Sequence, residues 1–313
     1  EMLRILKQRK FPVSKLTVLA RSARTLELDG EAYQIQEVSN EAFAGQDIVL
    51  FAGTEGEKGA AVTYSKIAIE QGATVIDNGA DFRLKDDVPL IIPEINADDL
   101  KQHKGLIANP NCSTIQLAMA LAPVHKAVGL NRVVVSSYQA ASGAGKKAAE
   151  ELRSQAEQLL KGESVTPQEF SKPLAFNLIP QIGSFQEAGY STEEWKLVHE
   201  TRKILHDPKI SINATTVRVP VINAHSESVY FETRRPIELD QLKSLWDQAE
   251  GISFVDEPNF TTPNEADGKD EVFVSRLRKD PESPQAFCCW VVSDNLRKGA
   301  ALNAIQIAEA LLK

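Results

Sequence analysis

Cys112 lies in the run Asn109-Pro110-Asn111-Cys112-Ser113-Thr114, where a short apolar stretch, Gly105-Leu106-Ile107-Ala108, gives way to the helical pattern Ile115, Leu117, Met119, Leu121, Ala122 and His125. Pro110 can continue neither a strand nor a helix interior, so the strand stops there, and Asn111 or Ser113 is available to cap the helix that follows. A thiol at a helix N-terminus faces unpaired N–H groups and the positive end of the dipole, which favour thiolate over thiol. The chemistry on offer is nucleophilic attack. The competing reading is a buried structural cysteine, the common state of an unpaired thiol, and the turn by itself does not choose between them.

A cysteine nucleophile calls for an acid or base partner, usually imidazole. Five histidines compete for that role. His103 and His206 sit in charged stretches, and His125 and His199 lie at helical spacing among surface residues. His225 follows the Pro-punctuated run Arg218-Val219-Pro220-Val221-Ile222-Asn223-Ala224, with an arginine seven residues before it. Gln139 closes another strand-like run, Val133-Val134-Val135-Ser136-Ser137-Tyr138. Strand ends are where sites are built in sheets of this kind, so His225 leads, with a solvated histidine as its alternative.

The elements that must position these residues divide into two patterns. Residues 16–20, 48–52, 74–77 and 90–93 read as strands, with a helix from Tyr64 to Gln71 closed by Gly72. Alternating β and α units imply a parallel sheet with helices on its faces, a dinucleotide-binding pattern. From Asn131 onward the strands lengthen: 133–139, 210–220, 228–234, 271–277 and 286–293. They predict a largely antiparallel or mixed sheet. One helix follows Gly145, with Ala148, Leu152, Ala156, Leu159 and Leu160 on its apolar side, and another spans 239–249. An amphipathic helix over 300–312 is expected to pack back on the first domain. Segments 161–175, 255–270 and 278–284 read as loops. The fold class is α/β, with a dinucleotide-binding domain over 1–112 completed by a C-terminal helix within 295–313, and an α+β domain over 113–294.

At 313 residues the chain accommodates two domains. Its 35 Lys and Arg against 43 Asp and Glu give a net charge of −8, which argues against nucleic acid as a partner. Against that background an anionic substrate needs cations gathered locally. The sequence has no run of about 18 apolar residues and no secretory signal, so the expectation is a cytoplasmic protein without a membrane partner. The three cysteines supply neither a disulfide framework nor a zinc ligand set, and no metal is expected. Cys288 and Cys289, in an apolar strand, both read as core residues.

The ordered set Asn109-Pro110-Asn111-Cys112-Ser113-Thr114, Gln139, Ser142-Gly143-Ala144-Gly145, Glu193-Glu194-Trp195-Lys196 and Arg218 to His225 resembles the aspartate-semialdehyde dehydrogenases over nearly the whole chain. The resemblance implies a reversible, phosphate-dependent reaction between L-aspartate 4-semialdehyde and L-4-aspartyl phosphate, using a nicotinamide cofactor. It makes Cys112 the nucleophile that forms a thioacyl-enzyme, His225 the acid/base and Gln139 the residue that orients substrate. It assigns Arg218 to the substrate carboxylate and Glu193 to its amino group, and Arg83 and Lys196 to phosphate with Asn111 assisting. It also implies at least a homodimer through the second domain, or a homotetramer. For Glu193 and Lys196 the residues alone leave an exposed helix pair as the alternative.

For the cofactor, Arg21-Ser22-Ala23-Arg24 follows the first strand, where an NAD-specific fold usually carries an acidic residue. Arg21, Ser22 and Arg24 suit a 2′-phosphate, which favours NADP, although a solvated basic turn looks the same. Ser142, Gly143 and Gly145 precede a helix and resemble the family's loop beside the nicotinamide, and Asn295 is a further cofactor contact by the same carry-over.

Two segments depart from the family pattern: Phe51-Ala52-Gly53-Thr54-Glu55-Gly56, and Gly79-Ala80-Asp81-Phe82-Arg83. The second resembles the N-acetyl-γ-glutamyl-phosphate reductases, whose cysteine motif usually reads Gly-Cys-Tyr where this chain has Asn111-Cys112-Ser113. An acyl-CoA reductase on the same scaffold would keep Cys112 and His225 and change only the acyl-carrier site. A non-catalytic binding or assembly relative would need none of Cys112, Gln139, Arg218 and His225 as a set, so their joint presence speaks against it. No glycine-rich phosphate loop precedes Glu1, yet residues 1–6 read as the helix that follows one. The expectation is that the first strand and its glycine loop, roughly 15 to 20 residues, belong upstream of this chain.

Overall fold

The computed structural model describes residues 1–53 and 56–312. Thr54 and Glu55, within one of the departing segments, lie outside the described residues. The first part of the chain runs through α1 (Met2–Gln8), β1 (Val18–Ala20), β2 (Arg24–Leu28), β3 (Glu31–Glu37), β4 (Ile48–Phe51), α2 (Ala60–Glu70), β5 (Thr74–Asp77), α3 (Pro93–Asn96), β6 (Leu106–Ala108) and α4 (Cys112–Val128). β4, β5 and β6 form an all-parallel sheet in that order. β1 pairs parallel with β3, and β3 pairs antiparallel with β2.

The single parallel sheet expected here is therefore two three-stranded sheets, one of which contains a hairpin. The hairpin turns at Asp29-Gly30, where both residues have positive φ, 52° and 81°. An Asp-Gly pair tolerates that conformation, and it matches the twist of the flanking strands. The strand expected over 90–93 is also corrected. Leu90 makes one parallel bridge to Ala108, and Pro93 opens α3 instead, where its fixed φ suits the first helical turn.

The second part comprises β7 (Leu130–Gln139), α5 (Lys146–Leu160), α6 (Thr192–Ile204), β8 (Ser211–Arg218), β9 (His225–Thr233), α7 (Leu239–Asp247), β10 (Ile252–Val255), α8 (Pro263–Ala266), β11 (Val272–Lys279) and β12 (Ala286–Ser293), followed by α9 (Leu302–Leu311). Six strands form one mixed sheet in the order β10-β11-β12-β9-β7-β8. Val133, Val135, Val229, Phe231 and Phe287 on one face pack with Leu117, Leu121, Leu197 and Trp246 from the helices into the largest core. The opposite face, with Tyr138, Tyr230 and Trp290, is only half-buried. Side chains alternate along a strand, so Cys289 falls on the core side and Cys288 on the half-buried side, which corrects the expectation that both are core.

α9 packs against the first part of the chain, as its apolar pattern requires. Ala304, Ile307 and Ala308 meet Ile76, Ile91 and Ile107, while Leu302 and Ile305 meet Ile5. The segment before α9, Arg297–Ala301, is a π-type turn rather than the start of a regular helix. It is pinned by Lys298, whose Nζ donates to both carboxylate oxygens of Glu94 (2.8 and 2.7 Å), to Asn303 Oδ1 (2.9 Å) and to Gln306 Oε1 (2.7 Å).

Register brings the functional strand ends together. Gln139 at the end of β7 pairs with Arg218 at the end of β8, and Ser293 at the end of β12 pairs with His225 at the start of β9. No described helix is long and apolar enough to cross a membrane. Among the described residues no group of three or more His, Cys, Asp or Glu is arranged to hold a metal ion.

Removing one member of a buried ion pair strands the other charge. With Lys298 and Glu94 side chains 1% and 6% exposed, Lys298→Met is expected to destabilise the fold by about 3–5 kcal/mol. Chemical denaturation read by far-UV circular dichroism measures this directly.

Candidate active site

The Cys112 turn is built as the sequence implies. The backbone N–H of Asn109 donates to Asp77 O (2.7 Å), carrying the parallel pairing of β5 and β6 to its last residue. Pro110 breaks the strand, and Asn111 adopts extended angles while its Oδ1 accepts from the N–H groups of Ser113 (2.9 Å) and Thr114 (3.2 Å). Asn111 is thus the helix cap, and Cys112 is the first residue of α4.

The expected thiolate does not follow from that placement alone. Burial, and then the neighbouring Glu193 carboxylate, push the Cys112 thiol up to about 11, against the opposing pull of Arg218, Arg83 and Lys196. In this arrangement the sulfur is held as a thiol.

α6 supplies the charges around it. A capping box starts the helix: Ser191 Oγ accepts from Glu194 N–H, and Glu194 reaches back to Ser191 N–H. Glu193 Oε1 then accepts from Asn111 Nδ2 (2.8 Å) and, at the edge of hydrogen-bonding range, from Gln139 Nε2 (3.4 Å). Its Oε2 lies 3.4 Å from Lys196 Nζ. Burial alone would push the Glu193 carboxyl up, but Lys196, the Asn111 hydrogen bond, Arg83 and Arg218 outweigh it and hold the pKa below its ordinary value. The carboxylate is buried, so the exposed-pair alternative for Glu193 is excluded.

His225 and Arg218 are held from the same peptide segment. Ala140 N–H donates to His225 Nδ1 (3.0 Å), and Ala140 O accepts from Arg218 Nη1 (2.6 Å). Both side chains are buried. Burial, with Arg218 adding to it, keeps the imidazole pKa well below its ordinary value. The neutral ring, with Nδ1 accepting, carries its proton on Nε2, a buried atom with no hydrogen-bond partner among the described residues. In this tautomer His225 presents Nε2–H as a hydrogen-bond donor. Gly143 lies directly beneath, where a Cβ would fall 2.9 Å from both Arg218 Nη1 and His225 Cε1. A side chain there would displace the pair, which explains the glycine without invoking a cofactor.

Ser142 and Asn295 are turned toward each other. Ser142 Oγ accepts from Asn295 Nδ2 (3.1 Å) and donates to Asn223 Oδ1 (2.8 Å), while Asn295 Oδ1 accepts from Ala224 N–H (2.9 Å). Ala224 immediately precedes His225 and has φ 68°, a conformation that an L-residue adopts only under restraint. The two side chains assigned to the cofactor thus brace the histidine's strand entry.

Arg21, Ser22 and Arg24 are exposed at the carboxyl end of β1, and Gly145, with φ 102°, opens α5. Two guanidinium groups and a hydroxyl suit phosphate oxygens, and the N-terminus of a 15-residue helix suits an anion. The residues present therefore fit a dinucleotide. Arg21, Ser22 and Arg24 do not join the Cys112 cluster.

The structure brings together Cys112, Asn111, Gln139, Glu193, Lys196, Arg83, Arg218 and His225: a thiol, a fixed N–H donor, three cations and one buried carboxylate. The set places charges of both signs around one thiol. The family model described as "Semialdehyde dehydrogenase, NAD binding domain" matches residues 1–103, and "Semialdehyde dehydrogenase, dimerisation domain" matches 121–298. The aspartate-semialdehyde dehydrogenase of Bacillus subtilis (strain 168) is 45% identical over all of this chain and 94% of its own length. That of Aquifex aeolicus (strain VF5) is 44% identical over 99% of this chain and 94% of its own. This chain belongs to the aspartate-semialdehyde dehydrogenase family. The crystal structure of aspartate semialdehyde dehydrogenase II from Vibrio cholerae, complexed with ASA, matches at TM-score 0.94 and 43% identity, covering 99% of this chain and 94% of that one.

The sequence reading of this family member missed Glu200, which is 1% exposed and sits two helical turns beyond Glu193. The signal was present in the spacing, since Glu193, Lys196, Glu200 and Lys203 fall on one face of α6.

Glu193 raises the thiol pKa, so removing its charge must lower it. Glu193→Gln keeps an acceptor for Asn111, and the larger thiolate fraction is expected to speed iodoacetamide alkylation of Cys112 at about pH 8 severalfold. Alkylation rate against pH, followed by peptide mass, reads the shift.

Proposed function

We propose that this chain catalyses the reversible, phosphate-dependent interconversion of L-aspartate 4-semialdehyde and L-4-aspartyl phosphate with NADP as cofactor. The observation that carries the proposal is the half-buried Cys112 set between the Glu193 carboxylate and the cations Arg83, Lys196 and Arg218. The substrate's three charged groups each find an opposite charge in that set. Arg218 takes the carboxylate through its planar fork, Glu193 the ammonium, and Arg83 with Lys196 and Asn111 the phosphate. Gln139, held beside Glu193, orients the acyl group.

In this reading the substrate helps to ionise its own nucleophile. Its ammonium neutralises Glu193 and cancels one of the two effects that hold Cys112 as a thiol. The thiolate adds to the acyl carbon, the carbon–oxygen bond to phosphate breaks, and phosphate leaves among its cations, carrying the proton that the overall reduction consumes. A thioester on Cys112 remains. A reduced nicotinamide held beside Gly143 and Gly145 would supply hydride to the thioester's carbonyl carbon. The oxyanion so formed is met by His225 Nε2–H, aided by N–H groups at the start of α4, and collapse of the carbon–sulfur bond releases the aldehyde and restores the thiolate.

Arg21, Ser22 and Arg24 would hold the 2′-phosphate of NADP, and the backbone about Gly143 and Gly145, supported by Ser142 and Asn295, would receive the nicotinamide end. Residues 1–112 with the helix in 295–313 form the cofactor-binding unit, and 113–294 form the catalytic and dimerisation unit. The half-buried sheet face takes a second copy of the chain as a homodimer, and the enzyme works in the cytoplasm.

The test is reduction of NADP⁺ by aspartate semialdehyde with and without phosphate, with NAD⁺ and N-acetylglutamate semialdehyde as comparators. Activity that requires phosphate, prefers NADP⁺ and aspartate semialdehyde, and disappears in a folded Cys112→Ser variant is expected. Retained turnover in that variant would remove Cys112 from the chemistry.

A further inference from the structure

Glu200 has no part in the roles assigned above, yet its buried carboxylate joins two of them. Oε1 accepts from Arg83 Nη1 at 3.2 Å, and Oε2 accepts from the backbone N–H of Asn111, the residue before Cys112, at 2.7 Å. Arg83 is clamped from two further sides, with Nε donating to Asn109 O (2.9 Å) and Nη2 to Asn78 O (2.7 Å). One anchor on each of its three nitrogens fixes the plane of the guanidinium.

The next turn of α6 acts on the same segment. Lys203 Nζ donates to the carbonyl oxygens of Arg83 (2.9 Å), Lys85 (2.7 Å) and Val88 (2.8 Å). α6 belongs to the part of the chain that carries Glu193 and Lys196, whereas Arg83 follows β5 in the other part. The relation of Arg83 to the nucleophile is therefore set across the junction between the two parts, by side chains of one helix.

We propose that Glu200 is a positioning residue for phosphate: it aims Arg83 at the phosphate subsite and locks that aim to the Cys112 turn. The inference rests on Arg83 being a phosphate ligand, as proposed above. A carboxylate suits the task because it offers one acceptor oxygen to each partner. Glutamine does not. Its amide oxygen can serve Asn111 N–H, but its NH₂ group then faces the Arg83 guanidinium, donor against donor. Glu200→Gln should thus release Arg83 while leaving the Cys112 turn capped and held.

The experiment measures KM for phosphate and for aspartate semialdehyde, in the direction of phosphate consumption, for the parent chain, Glu200→Gln, Arg83→Ala and the double variant. Iodoacetamide alkylation of Cys112 is followed in parallel. Glu200→Gln is expected to raise the phosphate KM by roughly tenfold, the scale of one charge-assisted contact, with the semialdehyde KM unchanged and the alkylation rate, which also senses the Arg83 charge, shifted by much less than that. In the Arg83→Ala background the same change should add nothing. A loss of general stability would not produce that split. If Glu200→Gln fails to fold, Glu200→Asp, which keeps the charge but falls short of spanning both partners, should give the same selective rise. An unchanged phosphate KM in a folded Glu200 variant, beside a raised one in Arg83→Ala, overturns the positioning role alone. An unchanged phosphate KM in Arg83→Ala overturns the phosphate assignment and the positioning role with it.

Discussion

Cys112 lies beside the buried Glu193 carboxylate, and an anion next to a largely desolvated thiol opposes the ionisation that nucleophilic attack requires. Burial and Glu193 together carry the thiol from 9.0 to about 11, while three cations around it act in the opposite sense. The balance depends on what else the site contains. A ligand with an ammonium group turns Glu193 from an obstacle into a binding partner, whereas a ligand without one leaves it in place. Selectivity for an amino-acid derivative and activation of the nucleophile then have the same physical source, and the geometry of α6 relative to the Cys112 turn is what the rest of the site depends on.

That geometry is over-determined. Asn111 caps α4 through Oδ1, meets Glu193 through Nδ2 and meets Glu200 through its backbone N–H. His225 is restrained on both sides, by Ala140 at Nδ1 and by the Asn295 bond to the strained Ala224 peptide before it. The strained Ala224 stands at the entry of β9, the place where a fixed imidazole tautomer is needed. Gly299 completes the enclosure. A Cβ there would lie 3.0 Å from Cys112 Cβ, so the π-type turn pinned by Lys298 approaches the nucleophile directly. The last helix, the first sheet and the nucleophile are mechanically connected through that contact.

The Cys112 turn, the alternating first half, the mixed second sheet and the inward packing of the last helix were legible because each is written in local signals: Pro110, an Asn cap, apolar periodicity. Asp29-Gly30 carried an equally local signal that the reading passed over, and Leu90 to Pro93 misled it because an apolar run before proline suits a strand or a helix start equally. The thiol's state was not legible. The dipole argument concerns an exposed terminus, whereas this one is buried beside a carboxylate from a helix about 80 residues away in sequence. His225 could be singled out, but its tautomer depends on a backbone N–H that only the fold brings to Nδ1. Glu200 looked like one more charge on a helix until its two partners were seen to come from different parts of the chain.

The central claim is a covalent one, that the acyl group passes through the sulfur of Cys112. It is tested most directly by incubating the protein with aspartate semialdehyde and NADP⁺ in the absence of phosphate, then mapping any adduct by peptide mass spectrometry. The account predicts one aspartyl group on the peptide containing Cys112, labile to hydroxylamine and discharged when phosphate is added. Absence of an adduct while NADPH is formed, or an adduct on another residue that phosphate discharges, would contradict it.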